Sequence, residues 1–170
     1  FLSFRAILSM RRHKIEFELS IYDSLEELPT EERHLMNMAV DARGKAYAPY
    51  SQFNVGAALL LDTGEIIKGN NQENASYPSG LCAERVAIFS AGANHPNAIV
   101  KAIAITAASE KIKVASPVAP CGNCRQSIKE YEVKQGSPIK LLLMGERGEV
   151  YKCESVADIL PLGFDSSYLG

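Results

Sequence analysis

The sequence predicts an α/β domain: a three-layer α/β/α arrangement around a mixed sheet of roughly five strands. Three observations predict it. Segments with apolar residues at helical spacing alternate with short apolar or β-branched runs, in the order helix, hairpin, helix, strand, helix, strand, strand. The chain has 170 residues, 46% apolar and 22% charged, the size and balance of one soluble domain with a substantial core. Internal repeats and low-complexity tracts are absent from the sequence.

Residues 1–29 read as an N-terminal arm, and residues 30–170 as the main folded domain. Phe1–Ser9 precede Met10, a candidate start; with Arg5 in its midst this stretch is too short and interrupted for a secretory signal, and reads as a remnant or as upstream translated sequence. Arg11-Arg12-His13-Lys14 is a basic cluster whose simplest reading is a solvated terminus. Ile15–Tyr22 alternates apolar and polar and predicts an edge strand, and Leu28-Pro29 ends the arm. Thr30 is placed to cap a helix with Glu31 and Glu32 at its positive end. Leu35, Met38, Ala39, Ala42 and Ala46 form its apolar stripe, and Pro49 is expected to stop it. Tyr47–Leu60 leads into a buried strand. Asp62-Thr63-Gly64-Glu65 turns the chain into the strand Glu65–Gly69, completing a hairpin.

Asn70–Asn74 reads as polar loop, followed by a helix from Cys82 to Ser90 or Ala91 that Gly92–Pro96 is expected to break. Ile99–Ala107 predicts a central strand, Cys121–Tyr131 a helix opened by Pro120, and Ile139–Met144 a buried strand. Val150–Cys153 follows a turn at Glu146–Glu149, and a short helix is expected near Val156–Leu160. His13 and His34 read as surface residues, His95 as a loop residue, and Cys153 as a small strand residue.

Composition excludes several functions. A net charge of -2 argues against a dedicated polyanion surface, so nucleic acid is not an expected partner. Runs of ~18 apolar residues are absent, so no membrane span is expected. The sequence contains neither G-x-G-x-x-G nor a P-loop. Four cysteines could form two disulfides, but their context favours metal, and reduced thiols imply a cytoplasmic setting.

Two stretches carry the chemistry: Gly80-Leu81-Cys82-Ala83-Glu84-Arg85 and Pro120-Cys121-Gly122-Asn123-Cys124. The C-x-x-C spacing lets two sulfurs reach one zinc at ~2.3 Å, and Cys82 can supply a third. Three protein ligands with one position left for water is the pattern of a catalytic zinc. Glu84, two residues after Cys82, is placed near such a metal without ligating it, where a carboxylate shuttles protons. Three thiolates on a divalent ion leave one net negative charge. Arg85 is the candidate to offset it, and helix N-termini at the cysteines add to the effect. The plainer alternatives are a surface-helix acid for Glu84 and an exposed helix arginine for Arg85.

The order C-x-E, then P-C-x-x-C, resembles the zinc-dependent nucleoside and nucleobase deaminases, with Cys82 where other members have histidine. The resemblance extends further. Tyr50-Ser51-x-Phe53-x-Val55-Gly56-Ala57-Ala58, Asn71-x-Glu73-Asn74-Ala75-x-Tyr77-Pro78 and Pro120-Cys121-Gly122-x-Cys124-Arg125-Gln126 look like the small homotetrameric cytidine deaminases, over roughly Thr30 to Phe164.

That resemblance implies a cytidine deaminase-like fold and one zinc per chain on Cys82, Cys121 and Cys124. Glu84 would carry the protons of hydrolytic deamination of cytidine and deoxycytidine in pyrimidine salvage. It implies that Phe53 stacks on the pyrimidine, that Asn71 and Glu73 hold the ribose 3′-hydroxyl, and that the Ala83 backbone contacts the base edge. Ala75, Tyr77 and Phe164 would reach the site of a neighbouring subunit. Taken alone, Phe53, Tyr77 and Phe164 read equally as core aromatics, and Asn71 and Glu73 as turn residues. The alternatives are a deaminase of another aminopyrimidine, such as blasticidin S or a free base, and a non-catalytic zinc module. The Asn71/Glu73 pair favours a nucleoside; Glu84 argues against the module.

Overall fold

The computed structural model describes residues 10–170; the readings made for Phe1–Ser9 lie outside them. The described elements are β1 (Ser20–Tyr22), α1 (Thr30–Arg43), β2 (Phe53–Leu61), β3 (Ile66–Asn70), α2 (Ala83–Asn94), β4 (Val100–Ser109), α3 (Gly122–Gln135), β5 (Lys140–Met144) and β6 (Val150–Cys153). The sheet has six strands in the order β1-β6-β5-β4-β2-β3, one more than the roughly five expected. The additional strand comes from the arm: β1 pairs antiparallel with the edge of β6, from Ser20 opposite Lys152 to Tyr22 opposite Val150. It is three residues long rather than spanning Ile15–Tyr22; β6 is itself only four residues long and leaves only Cys153 beyond the pair at Lys152, too little partner for a longer strand.

Among the described strands only the neighbours β4 and β5 pair in parallel, and α3 makes the crossover between them. This sheet is buried on both faces, with side chains alternating between two cores. On one face Leu59, Ile103, Ile105, Leu141 and Leu143 pack with Ala87 and Ile88 of α2 and Ile128 of α3. On the other, Ala58, Leu60, Ala102, Ala104 and Leu142 pack with Leu35, Met36 and Ala39 of α1. The expected stripe of α1 is corrected in part: Met36 is fully buried, while Met38 and Ala46 are only partly so.

Two glycines set how closely the helices approach. A Cβ on Gly56 would lie 2.0 Å from the Ala39 carbonyl oxygen, and one on Gly69 would lie 2.4 Å from that of Ala83. Gly69 therefore seats the first turn of α2, the turn that carries Glu84, directly on β3.

Other boundaries differ for identifiable reasons. Pro29, not Thr30, is the N-cap of α1, because its carbonyl already accepts the first helical hydrogen bond, from Arg33 N–H at 2.8 Å. The helix ends at Arg43, well before Pro49. There Tyr47 pairs instead with the polar loop: its N–H donates to Asn71 O at 3.0 Å and its carbonyl accepts from Glu73 N–H at 2.9 Å. The helix α2 runs through Gly92 to Asn94 rather than breaking there, since the missing side chain makes room for Tyr131 of α3, whose hydroxyl would lie 2.1 Å from a Cβ at that position. The expected helix near Val156–Leu160 is a single 3-10 turn, Val156–Asp158.

One buried ion cluster ties α1 to the sheet. Glu32 accepts from Lys140 Nζ at 2.8 Å and lies 3.0 Å from Lys152 Nζ. Burial opposes its ionisation, but the two lysines outweigh burial and hold its pKa below the ordinary value. A depressed carboxylate stabilises the fold fully above its unfolded pKa, near 4.5, and loses that contribution as pH falls through the folded value. Glu32→Gln should therefore cost about 1–3 kcal/mol at neutral pH. In thermal melts the gap between the two proteins should close as pH drops below the ordinary glutamate range; a gap independent of pH would overturn the assignment.

Candidate active site

The N-termini of α2 and α3 converge beside β4. Cys82 is the N-cap of α2 and Cys121 the N-cap of α3, both with extended backbones, and Cys124 lies one turn into α3. The Sγ atoms of Cys121 and Cys124 are 3.5 Å apart, those of Cys82 and Cys121 3.9 Å, and all three lie within 4.8 Å of one another. All four cysteines are free thiols, so the disulfide alternative is not what the structure holds; Cys153 is buried in the core.

The three sulfurs interact strongly. The Cys82 thiol is pulled down to about 5, chiefly because the Cys124 thiol hydrogen-bonds to it, which outweighs burial, with Arg85 and Cys121 assisting. Cys124 is pushed far up by that same contact with Cys82 and by burial. Three cysteine sulfurs gathered at two helix N-termini, where thiolate is favoured once a cation is present, form a soft donor cluster of the kind that zinc takes.

Glu84, the second residue of α2, is 4% exposed and has a carboxylate oxygen, Oε2, with no partner among the described residues. Burial pushes its carboxyl above the ordinary range, and the charge of Cys82 adds to this. A buried unpaired acceptor beside three cysteine sulfurs is costly unless a cation, a water or a ligand proton answers it, so this orphan oxygen fits a metal and its water at the cluster. Arg85 lies against Cys82 and Cys124, donates to the Gly80 carbonyl at 3.4 Å, and keeps its buried Nε unpartnered.

A cavity of about 680 Å³ opens onto this cluster, within the usual range for small-molecule sites. Phe53, Asn71, Glu73 and Tyr77 line it together with Cys82, Glu84, Arg85 and Cys121. Asn71 accepts from Val55 N–H at 2.8 Å and donates to the Phe53 carbonyl at 2.9 Å, so its amide fixes the start of β2 on which Phe53 stands. One amide hydrogen and one lone pair remain for a ligand. Glu73 Oε2 accepts from the N–H groups of Tyr50 and Ser51 at 2.9 and 3.2 Å. Against desolvation, these bonds and one from the Ser51 hydroxyl hold its carboxyl below the usual range.

Three expected residues lie elsewhere. Ala83 is fully buried under the cavity, and Ala75 is exposed outside its lining. Phe164 is 53% exposed, away from this chain's cavity, and stacks on Tyr168 at 5.5 Å. Tyr77, at 77% exposure, and Phe164 are thus not core aromatics of their own chain. Sequence reasoning did not assign Tyr50 and Ser51, whose backbone grips Glu73, or the wall formed by Ile105, Val118 and Ala119. Tyr50 and Ser51 carried a signal as part of the Tyr50–Ala58 motif; Val118 and Ala119 carried none.

A three-cysteine cluster at two helix ends, an adjacent buried carboxylate that is not part of it, and a mixed sheet beneath define a zinc-dependent hydrolase. Residues 29–137 match the sequence model of the cytidine and deoxycytidylate deaminase zinc-binding region, and the chain belongs to that family. It is 41% identical over 130 residues to a cytidine deaminase of Halalkalibacterium halodurans, covering 76% of this chain and 91% of that protein. A cytidine deaminase of Sporosarcina psychrophila is also 41% identical, over 75% of this chain and 87% of its own length. The crystal structure of cytidine deaminase from Burkholderia pseudomallei superposes with a TM-score of 0.67 at 41% identity, covering 77% of this chain and 97% of that one.

Proposed function

We infer that this chain catalyses hydrolytic deamination of cytidine and deoxycytidine to uridine and deoxyuridine plus ammonia, serving pyrimidine salvage in the cytoplasm, with residues 30–170 as its catalytic unit. The observation that carries the reading is Glu84: buried, two residues after Cys82 and close enough to feel its charge, and with one oxygen unpartnered among the described residues. Zinc, held by Cys82, Cys121 and Cys124, supplies the Lewis acidity that makes water a competent nucleophile near neutral pH. Glu84 accepts one proton of the attacking water and delivers it to N3 of the pyrimidine, then takes the second from the oxygen added at C4 and passes it to the departing amine, leaving a C4 carbonyl. A C4–O bond forms, the C4–N bond breaks, and ammonia leaves. A carboxyl poised above its ordinary pKa suits both directions of transfer.

Phe53 presents a face to the ring, Glu73 and the free valences of Asn71 hold a ribose hydroxyl, and the Ala83 backbone serves the base edge. Arg85 offsets the surplus thiolate charge. This reading has the chain act as a homotetramer whose neighbours complete each site. Two facts support that: Phe164 and Ala75 stand away from their own cavity, and the apolar ring of Phe164 is half exposed. No described helix is long and apolar enough to cross a membrane.

The test is loss of ultraviolet absorbance with cytidine, deoxycytidine, cytosine and blasticidin S. The nucleosides should turn over and the other two should not; turnover of cytosine or blasticidin S alone would reassign the substrate. For the shared site, Glu84→Gln and Phe164→Ala chains are refolded together. At low cytidine the hybrids should exceed the summed activity of the separate variants. Hybrid tetramers seen by native mass spectrometry without added activity would defeat the shared-site reading.

A further inference from the structure

After β6 the chain crosses back over the first turns of α3, where two consecutive residues grip it. Arg125 donates through Nε to the Pro120 carbonyl at 2.8 Å and through Nη1 to the Ile159 carbonyl at 2.7 Å. Gln126 donates through Nε2 to the Phe164 carbonyl at 2.9 Å.

Between these anchors lies a tight turn closed by Gly163 N–H to the Leu160 carbonyl at 3.2 Å. Its third residue, Leu162, has φ 60, a left-handed conformation that side chains rarely adopt. Glycine is the usual residue there. Such a conformation persists only where surrounding structure over-determines it. The Leu162 side chain is 88% exposed, so its own packing does not do this. The restraint comes from the two ends, Ile159 and Phe164, and both are held by α3.

We propose that Gln126 is a positioning residue: its hydrogen bond to the Phe164 carbonyl fixes where the Phe164 ring is presented to a neighbouring subunit's cavity, while Arg125 fixes the start of the same turn. This rests on the shared-site reading above. The consequence is a shared frame. The helix that carries Cys124 and whose N-cap is Cys121 also sets the reach of the aromatic group, so a subunit's metal loop and the cover it lends its neighbour are registered on one rigid element. Gln126 holds the Phe164 carbonyl and does not line its own chain's cavity, so it acts through the backbone, not by touching substrate.

The test uses the zinc-loaded enzyme with cytidine. Gln126→Ala and Gln126→Glu, the latter equal in length but lacking the donor, are compared alone and combined with Phe164→Ala. Each Gln126 variant should raise KM about three- to tenfold, the scale of one lost hydrogen bond, with kcat and zinc content close to those of the parent. In the Phe164→Ala background neither should raise KM further. Chymotrypsin should cleave within residues 160–169 faster in the Gln126 variants than in the parent. An unchanged KM in the Gln126 variants beside a raised KM in Phe164→Ala overturns the role of Gln126 alone. So do additive effects on KM, or loss of zinc. A normal KM in Phe164→Ala overturns the shared-site reading and this proposal with it.

Discussion

Glu84→Gln is expected to keep the fold and one zinc per chain while losing at least about 10²–10⁴-fold in turnover. Glutamine preserves the shape and the volume that α2 buries against β3, so packing around Ala83 and Ala87 should hold. What it removes is a proton acceptor and donor that the reaction uses more than once. No neighbour can substitute: Glu73, the other carboxylate lining the cavity, is committed to Tyr50 and Ser51 and is held in its ionised form. Stopped-flow or steady-state turnover with cytidine, alongside metal analysis of the same preparation, checks this. More than about a tenth of parental turnover would remove Glu84 from the proton path, because it falls short of the smallest effect general acid–base catalysis supplies.

Cys124→Ala is expected to abolish stoichiometric zinc and to lower turnover by about 10³-fold or more, the scale of losing the metal's charge stabilisation and its acidified water. Cys124 is the buried member of the triad, and its Sγ sits 3.5 Å from that of Cys121. Alanine leaves two sulfurs on two different helices, too few to hold the ion. Because such a site exists only in the folded chain, metal binding stabilises folding. Chelation should therefore lower the Tm of the parent and leave that of Cys124→Ala unmoved. Stoichiometric zinc in the variant, or a parental Tm indifferent to chelator, would show that these three cysteines are not the metal site.

Much of this was legible because it is local. The spacing Cys82-x-Glu84 at a helix start, and Cys121-x-x-Cys124 at another, fixes which side chains can share one helical turn, and the structure has both at N-termini. The continuous apolar runs Ile99–Ala107 and Ile139–Met144, set among helices, predicted buried strands in a sheet covered on both faces, and the two cores are divided in that way. Where the sequence misled, a distant partner had overridden a local preference. Tyr47 joins the polar loop instead of extending α1, Gly92 stays helical because Tyr131 fills its space, and β1 is cut short by the end of β6.

The sequence by itself determined the chemistry available: three thiols, a carboxylate beside one of them, and an arginine next in line. Tertiary structure decided that these become one site. Cys82 and Cys121 are 39 residues apart in the chain, and only α2 seated at Gly69, together with the α3 crossover between β4 and β5, brings their sulfurs to 3.9 Å. It likewise sent Phe164 away from its own cavity and fastened it to Gln126. The physical reason is the reach of the interactions: helix caps and side-chain periodicity act over a few residues and are written in spacing, whereas strand pairing and helix-on-sheet packing act across the chain and exist only once it has folded.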